Sequence, residues 1–164
     1  MTVLSAQSIR VLCSHSNPRL DLVSPFSERA VSRGLSYGLS CCMYDVRIAQ
    51  DVRLWPKCNR LASTIEHFYM PDNVMASVHD KSSWARRFVD VKNTIIDPGW
   101  RGYLTLELSN RTWSPIFIRR GTPIAQVVFT WLDETTVLPY RGKYQDQENE
   151  PVSARDELDA VQAR

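Results

Sequence analysis

Anion-binding side chains cluster in the segment DKSSWAR, residues 80–86, where a lysine, two serines and an arginine fall close together. Lysine offers phosphate oxygens a point charge, and arginine offers a planar fork of N–H donors. Backbone N–H groups at a helix start add partial positive charge. The same Ser-Ser pair before an apolar residue is also typical of a helix N-cap. The segment therefore predicts either an anion site or an ordinary helix start.

Two carboxylates lie on one stretch, DPGWRGYLTLELSN, residues 97–110. Asp97 precedes a Pro-Gly turn and an aromatic residue, so it either caps that turn or accepts a hydrogen bond from a sugar hydroxyl. Glu107 lies in an apolar run that is typical of a strand. Alternation puts Tyr103, Thr105 and Glu107 on one face, opposite three leucines. Glu107 therefore need not be buried, and a solvent-facing glutamate is the simplest interpretation of the pattern alone.

The segment PYRGKYQDQ, residues 139–147, contains two tyrosines, a lysine and two glutamines in a polar context. The sequence from residue 141 to 164 is polar and nearly free of large aliphatic side chains. Such composition is typical of a frayed C-terminus. The alternative is a lid that closes aromatic and basic groups over a phosphorylated ligand.

The elements that must position these side chains are mostly strands. Short runs rich in Val, Ile, Thr and aromatic residues are separated by Pro, Gly, Asp and Asn. We expect a helix over 2–12 with Ser5 as N-cap, irregular structure over 14–33, and a helical turn within 81–88. The predicted strands are 44–49, 61–68, 74–79, 102–109, 115–119 and 124–131. Many short strands with few helices predict an antiparallel β-sandwich or barrel-like fold.

Size and composition narrow the class of protein. The chain has 164 residues with 43% hydrophobic and 23% charged residues, which predicts one globular domain. We expect that domain over 1–140, followed by a lid and flexible tail over 141–164. A formal net charge of +2 and the absence of a Lys/Arg-rich run give no support for a nucleic-acid surface. No apolar stretch approaches the ~18 residues of a membrane helix, and the N-terminus lacks a signal-peptide pattern.

Cysteine and histidine spacing argues against a metal enzyme of the zinc type. The four cysteines show no CxxC spacing, so we expect reduced thiols in a cytoplasmic protein. They are Cys13, Cys41, Cys42 and Cys58. The zinc-deaminase signature, HxE followed by PCxxC, is absent, and so is HExxH. We therefore expect no zinc.

Taken in order, these segments resemble the dCTP deaminase branch of the dUTPase superfamily. The stretches SYGLSCCMYDVRIA (36–49), DKSSWAR and IIDPGWRGYLTLELSN (95–110) are each similar to a family motif, as are IAQVVF and GKYQDQ. The resemblance runs from about Leu35 to Gln147, most of the chain. It implies a distorted, mainly antiparallel dUTPase-type β-sandwich or jelly-roll-like barrel. It also implies a homotrimer with active sites at the subunit interfaces.

The resemblance assigns roles to individual residues. Glu107 takes the position of the catalytic glutamate, and Ser82 and Arg86 match a serine and an arginine of the catalytic pocket. Asp97 matches the acid that contacts the sugar 3′-hydroxyl. The other implied nucleotide contacts are Lys81, Ser82 and Ser83 around the phosphates, Thr105 and Leu106 at the base, Gln126, and Tyr140, Lys143 and Gln147 on the closing C-terminal segment. Magnesium accompanies the triphosphate in this family.

The implied reaction is deamination of dCTP to dUTP and ammonia without zinc, supplying dUTP for dTTP synthesis, with Glu107 as the proton shuttle. An alternative is pyrophosphatase activity on dUTP or dCTP, alone or combined with deamination. In that case Asp97 activates water at the α-phosphorus with Mg²⁺ on the phosphates. A third possibility is a nucleotide-binding regulator without catalytic activity.

Three residues stand where the family commonly has glycine. They are Met43, Asp80 and Phe88. Glycine permits positive φ or close backbone approach, so these replacements predict a reshaped pocket. Asp80 also adds a negative charge beside the expected phosphate site, which is unfavourable unless that carboxylate binds the metal or pairs with a cation. They are the main observation in favour of the regulator.

Overall fold

The computed structural model describes residues 2–92 and 94–156, and within this range the chain is mainly β. The N-terminal half contains β1 (Thr2–Val3), α1 (Ala6–Leu12), a 3-10 helix (Pro18–Leu20), β2 (Val23–Ser24), β3 (Ala30–Ser32), β4 (Leu35–Leu39), β5 (Tyr44–Arg47), β6 (Val52–Leu54), β7 (Asn59–Tyr69) and β8 (Val74–Asp80). The elements that follow are α2 (Ser82–Ala85), β9 (Val89–Val91), β10 (Ile95–Ile96), β11 (Arg101–Asn110), β12 (Ile116–Ile118) and β13 (Pro123–Trp131).

The strands form three antiparallel sheets. A seven-stranded sheet has the order β10-β8-β13-β5-β4-β3, with β1 also paired to β13. A four-stranded sheet has the order β2-β7-β11-β9, and β12 pairs with β6. The two larger sheets meet in the core, where the rings of Phe68 on β7 and Phe129 on β13 lie 6.4 Å apart. Both side chains are fully buried, and burial of such a side chain contributes about 1.5–3 kcal/mol. The prediction of a mainly β, antiparallel fold is confirmed.

The N-terminal helix is shorter than the sequence pattern predicted. Thr2 and Val3 pair with Trp131 and Thr130 as an edge strand, so the prediction of helix from residue 2 is wrong. β-branched residues favour the pleated surface, and they gain ladder hydrogen bonds there. The helix begins at Ala6 after Ser5, as expected, but the Ser5 hydroxyl lies 3.2 Å from the Ser8 hydroxyl and caps no backbone N–H.

The expectation of irregular structure over 14–33 is also wrong in part. The 3-10 helix, β2 and β3 fall in this region. β2 is stabilised by pairing with β7, and β3 by pairing with β4. β7 lies far along the sequence from β2, so the local pattern does not reveal β2, whereas β3 and β4 form a hairpin about Arg33 and Gly34 that the sequence analysis missed. No helix in the described residues is long and apolar enough to cross a membrane.

β11 is the strand that carries the candidate site, and an irregularity in its pairing with β7 shapes it. Tyr103 pairs with His67, whereas Thr105 pairs with Ser63, so β7 has extra residues between these points. The Thr64 hydroxyl accepts a hydrogen bond from the Leu104 N–H at 3.1 Å and so satisfies the backbone there. Burial alternates along β11 as predicted, with Thr105 and Glu107 partly exposed and the leucines buried.

Candidate active site

One cavity of about 440 Å³ lies against the partly exposed face of β11. Its volume falls within the usual range for small-molecule sites. Among its lining residues are five that the sequence singled out: Asp97, Thr105, Glu107, Tyr140 and Gln147. These five come from β11, the turn before it and the C-terminal segment. The fold thus brings two carboxylates and a hydroxyl into one partly enclosed space.

Glu107 is held in the cavity by its strand. It pairs with Leu61 of β7 across the sheet, and its carbonyl accepts the Lys92 N–H at 3.0 Å. Its side chain is partly exposed and lines the cavity. Among the described residues, no side chain or backbone group forms a hydrogen bond or ion pair with its carboxylate. The carboxylate is therefore available to a ligand.

Asp97 begins a tight turn at the rim of the same cavity. The Trp100 N–H donates to the Asp97 carbonyl at 3.2 Å, and Gly99 adopts φ +80°, which glycine permits without strain. The Asp97 side chain is exposed. Trp100 is buried and donates its indole N–H to the carbonyl of Tyr144 at 2.7 Å. This bond fastens the turn to the C-terminal segment.

The C-terminal segment, residues 139–156, lies along β11 and closes one side of the cavity. The Tyr103 N–H donates to the Gln147 carbonyl at 2.9 Å. The Gln147 side-chain amide donates to the Thr105 hydroxyl, which also accepts the Val152 N–H at 3.1 Å. The segment is therefore ordered through residue 156, which does not fit the frayed alternative; the lid stays a prediction, and residues 157–164 lie outside the described residues.

An ion pair reinforces this segment at its outer edge. The Arg101 guanidinium donates to both carboxylate oxygens of Asp146. That hydrogen bonding, together with the positive charge, lowers the pKa of Asp146. The pair therefore persists at moderately acidic pH.

A second group of predicted site residues lies away from the cavity. Lys81 is only 4% exposed, and its ammonium lies 2.5 Å from the carboxylate of Asp45 on β5. The Gln126 amide donates to the other oxygen of this carboxylate at 2.9 Å. The charge of Lys81 is thus neutralised by Asp45.

The hydroxyl and arginine residues of the same motif lie on α2 and just after it. Ser82 and Arg86 are exposed and Ser83 is partly buried, and none of the three lines the cavity. Lys143 also lies outside the lining; its ammonium lies 5.6 Å from the centre of the Tyr144 ring. Leu106 is buried on the core side of β11.

The three residues at expected glycine positions differ from one another in backbone conformation and in their contacts. Phe88 adopts φ +60°, the conformation for which glycine is suited, so the replacement is accommodated with backbone strain. Met43 has no positive φ. The Asp80 carboxylate accepts the Val91 N–H at 2.6 Å, so its charge is used to hold β9.

Several residues that line the cavity were not singled out by the sequence. Tyr144 lies in the GKYQDQ motif and could have been chosen from that motif. Leu61, Val152 and Ala154 carried no chemical signal, because they reach the cavity only through the tertiary fold. Residues 2–92 and 94–156 contain no cluster of three His, Cys, Asp or Glu side chains suited to a metal ion.

The sequence of the chain is similar to those of known proteins. A family model described as dCTP deaminase-like matches residues 5–132. The dCTP deaminase of Campylobacter curvus is 35% identical over 160 residues, covering 77% of this chain and 86% of the relative. The dCTP deaminase of Gemmatimonas aurantiaca is 33% identical over 159 residues, with the same coverage of 77% and 86%.

Solved structures share the fold at lower identity. The crystal structure of 2′-deoxycytidine 5′-triphosphate deaminase from Agrobacterium tumefaciens has a TM-score of 0.62 at 21% identity, covering 78% of this chain and 48% of that chain. A dUTPase of EIAV has a TM-score of 0.54 at 19% identity, covering 74% of this chain and 98% of the other. The expected dUTPase-type fold is confirmed.

Proposed function

The chain belongs to the dCTP deaminase-like family, and we propose that it hydrolyses dCTP to dUTP and ammonia with Glu107 as the proton shuttle. The observation that carries this proposal is the Glu107 carboxylate, which lines the cavity on β11 with no hydrogen-bond partner among the described residues. A pyrimidine ring placed against Thr105 would bring its exocyclic amine to this carboxylate.

The proposed chemistry needs one group that moves protons. Water adds to C4 of the cytosine ring, and the amine leaves as ammonia. Glu107 accepts a proton from the attacking water and delivers it to the ring nitrogen; it then takes the second proton from the new C4 hydroxyl and delivers it to the departing amine. A single carboxylate can perform these transfers in sequence, since it regains its starting charge at the end.

Residues around Glu107 would contact the remaining parts of the nucleotide. Asp97, which lines the same cavity, accepts a hydrogen bond from the sugar 3′-hydroxyl. The C-terminal segment, with Tyr140 and Gln147, closes over the nucleotide and limits the access of water. The polar contacts of Gln147 and Val152 to Thr105 would rearrange when a base enters.

We further propose a homotrimer in which a neighbouring subunit completes each site. Ser82 and Arg86 are exposed on a part of the surface that does not line the cavity of their own subunit. Placed opposite the cavity of a neighbour, they would position the water and stabilise the charge that develops on the ring. Ser83 and Lys143 would serve the phosphates and remaining nucleotide contacts, whereas Lys81 and Gln126 would act through the Asp45 carboxylate to which both donate.

Magnesium fits this scheme as a partner of the triphosphate. Because the described residues offer no cluster of three carboxylate, histidine or cysteine ligands, the ion would be held mainly by phosphate oxygens and water, as is usual for Mg²⁺ with nucleotides. It would offset the charge of the triphosphate. All four cysteines are free thiols, which favours a cytoplasmic location.

A second candidate is pyrophosphatase activity on dUTP or dCTP, alone or beside deamination. Its specific support is that Asp97 also lines the cavity and is exposed. In this case Asp97 activates a water molecule for attack at the α-phosphorus.

The discriminating experiment is a product assay on dCTP and on dUTP with Mg²⁺, in which ammonia, pyrophosphate and monophosphate are measured separately. Deamination predicts ammonia and dUTP from dCTP and no turnover of dUTP. Pyrophosphate with monophosphate from either substrate would support the second candidate. Binding of dCTP with no product of any kind would support a regulator and contradict both.

A further inference from the structure

An adjacent pair of thiols is displayed on the turn between β4 and β5, outside the cavity described above. Cys41 is exposed, Cys42 is partly buried, and their sulfur atoms lie 3.8 Å apart. The proposed deamination uses neither thiol. We propose that Cys41 and Cys42 form a dithiol site that binds a trivalent arsenical through both sulfurs.

The backbone holds this turn in place from two sides. The Ser40 N–H donates to the Met43 carbonyl at 2.8 Å and closes the turn. The Ala6 N–H, at the start of α1, donates to the Cys41 carbonyl at 2.9 Å. The two sulfur atoms are thus presented by a constrained backbone, so a ligand that needs both meets a site that is already formed.

The distance between the Cys41 and Cys42 sulfur atoms fits an atom bound to both sulfurs better than it fits a disulfide bond. A disulfide requires sulfurs about 2.05 Å apart on residues whose Cα atoms are usually about 4.4–6.8 Å apart. Adjacent Cα atoms are only about 3.8 Å apart, so direct oxidation of this pair is geometrically unfavourable. By contrast, a thiophilic atom about 2.3 Å from each sulfur, with a bond angle of about 90–110°, requires sulfurs roughly 3.3–3.8 Å apart. The observed 3.8 Å lies at the upper end of this range and far above the disulfide distance.

The coordination chemistry favours trivalent arsenic over zinc. A structural zinc site takes about four protein ligands, and the described residues offer no third cysteine, histidine or carboxylate to complete one. An arsenical that already carries one organic group needs only two sulfurs. In the reaction two S–H bonds break and two S–As bonds form. The oxygen of the arsenical leaves as water with the two protons, and no electrons are transferred.

The neighbouring thiol also promotes the first bond. A hydrogen bond from Cys42 lowers the pKa of Cys41 and raises that of Cys42. Because the thiolate is the nucleophile, Cys41 is the sulfur expected to attack first, and Cys42 then closes the ring.

The test is binding of phenylarsine oxide to the reduced, full-length chain, followed by intact mass measurement. One phenylarsenic group per chain should remain under an excess of the monothiol 2-mercaptoethanol, and dithiothreitol should remove it. A tryptic digest should place the group on residues 34–47, the fragment that contains Cys41 and Cys42 and no other cysteine.

Single substitutions supply the controls. In Cys41→Ser and in Cys42→Ser the affinity should fall by about 100-fold or more, because the second bond is no longer intramolecular. Cys58→Ser, which removes an exposed thiol elsewhere, should bind as the wild type does. An adduct that the monothiol strips from the wild type, or that maps outside residues 34–47, would overturn the proposal. Unchanged binding of phenylarsine oxide by Cys41→Ser or by Cys42→Ser would also overturn it. If one of these variants does not fold, the mapping of the adduct on the wild-type chain decides between the outcomes.

Discussion

Replacement of Gly102 with alanine is expected to release the C-terminal segment from β11. Gly102 has φ +143°, and a Cβ atom added there would lie 2.7 Å from the nitrogen and 3.0 Å from the oxygen of Gln147. Both are backbone atoms, so they cannot be moved aside by a change of rotamer. Alanine therefore fits only if the chain at Gln147 moves away.

The size of the effect follows from the bonds that this movement breaks. Gln147 accepts the Tyr103 N–H at 2.9 Å and donates its side-chain amide to Thr105. Each bond contributes about 1 kcal/mol net. Loss of both weakens closure by about 2 kcal/mol, which corresponds to a roughly 30-fold larger open population.

Gly121→Ala is the matched control for this experiment. Gly121 also has positive φ, +81°, but a Cβ atom there would lie no nearer than 3.8 Å to the Ser32 hydroxyl. Both variants therefore carry backbone strain, and only one displaces the C-terminal segment. Amide hydrogen exchange over residues 140–156 should quicken about 30-fold in Gly102→Ala alone, with a loss of kcat/KM for dCTP. Equal exchange in the two variants would refute the reasoning.

Three further predictions concern stability. Asp45→Asn should lower the free energy of unfolding by about 3–5 kcal/mol, because it leaves the buried ammonium of Lys81 unpaired; Asp90→Asn, which breaks a more exposed pair, should cost less than about 1 kcal/mol in the same urea titration. Phe88→Gly should raise the free energy of unfolding by about 1 kcal/mol, since Phe88 is 65% exposed and adopts φ +60°; an unchanged or lower melting temperature would contradict this. Burial lowers the pKa of His67, so the unfolded chain takes up this proton more readily. Stability should fall as the pH drops below the unfolded value of about 6.5, and His67→Gln should flatten that part of the urea-derived pH profile.

The long strands were predictable from sequence because their own residues specify them. β11 and β13 alternate in burial or carry continuous apolar runs, and their observed bounds lie within about two residues of the prediction. β3 and β4 were missed, because Ala30–Ser32 and Leu35–Leu39 contain serine and glycine and form only by pairing with each other and with β5. β3, β4 and β5 follow one another along the chain as two hairpins, so this pairing is local, and serine and glycine hid it by weakening the apolar alternation of the two strands.

The candidate site was predictable in part for a similar reason. Asp97 and Glu107 lie in one local motif, and the fold brings both to one cavity. The burial of Lys81 was not predictable from its own motif, since its partner Asp45 lies 36 positions away. The sequence offered the ordering of the C-terminal segment only as one of two alternatives, because its polar composition resembles that of a frayed terminus and its contacts lie on β11.

The most direct test of the central claim is the rate of ammonia release from dCTP by Glu107→Gln, measured under single-turnover conditions beside the wild type and Asp97→Asn. The proton-shuttle role predicts a loss of at least about 100-fold in the Glu107→Gln rate, with dCTP binding retained by calorimetry. Asp97→Asn should weaken substrate binding more than it slows the chemical step. Ammonia release by Glu107→Gln at the wild-type rate would contradict the assignment of Glu107 as the catalytic residue.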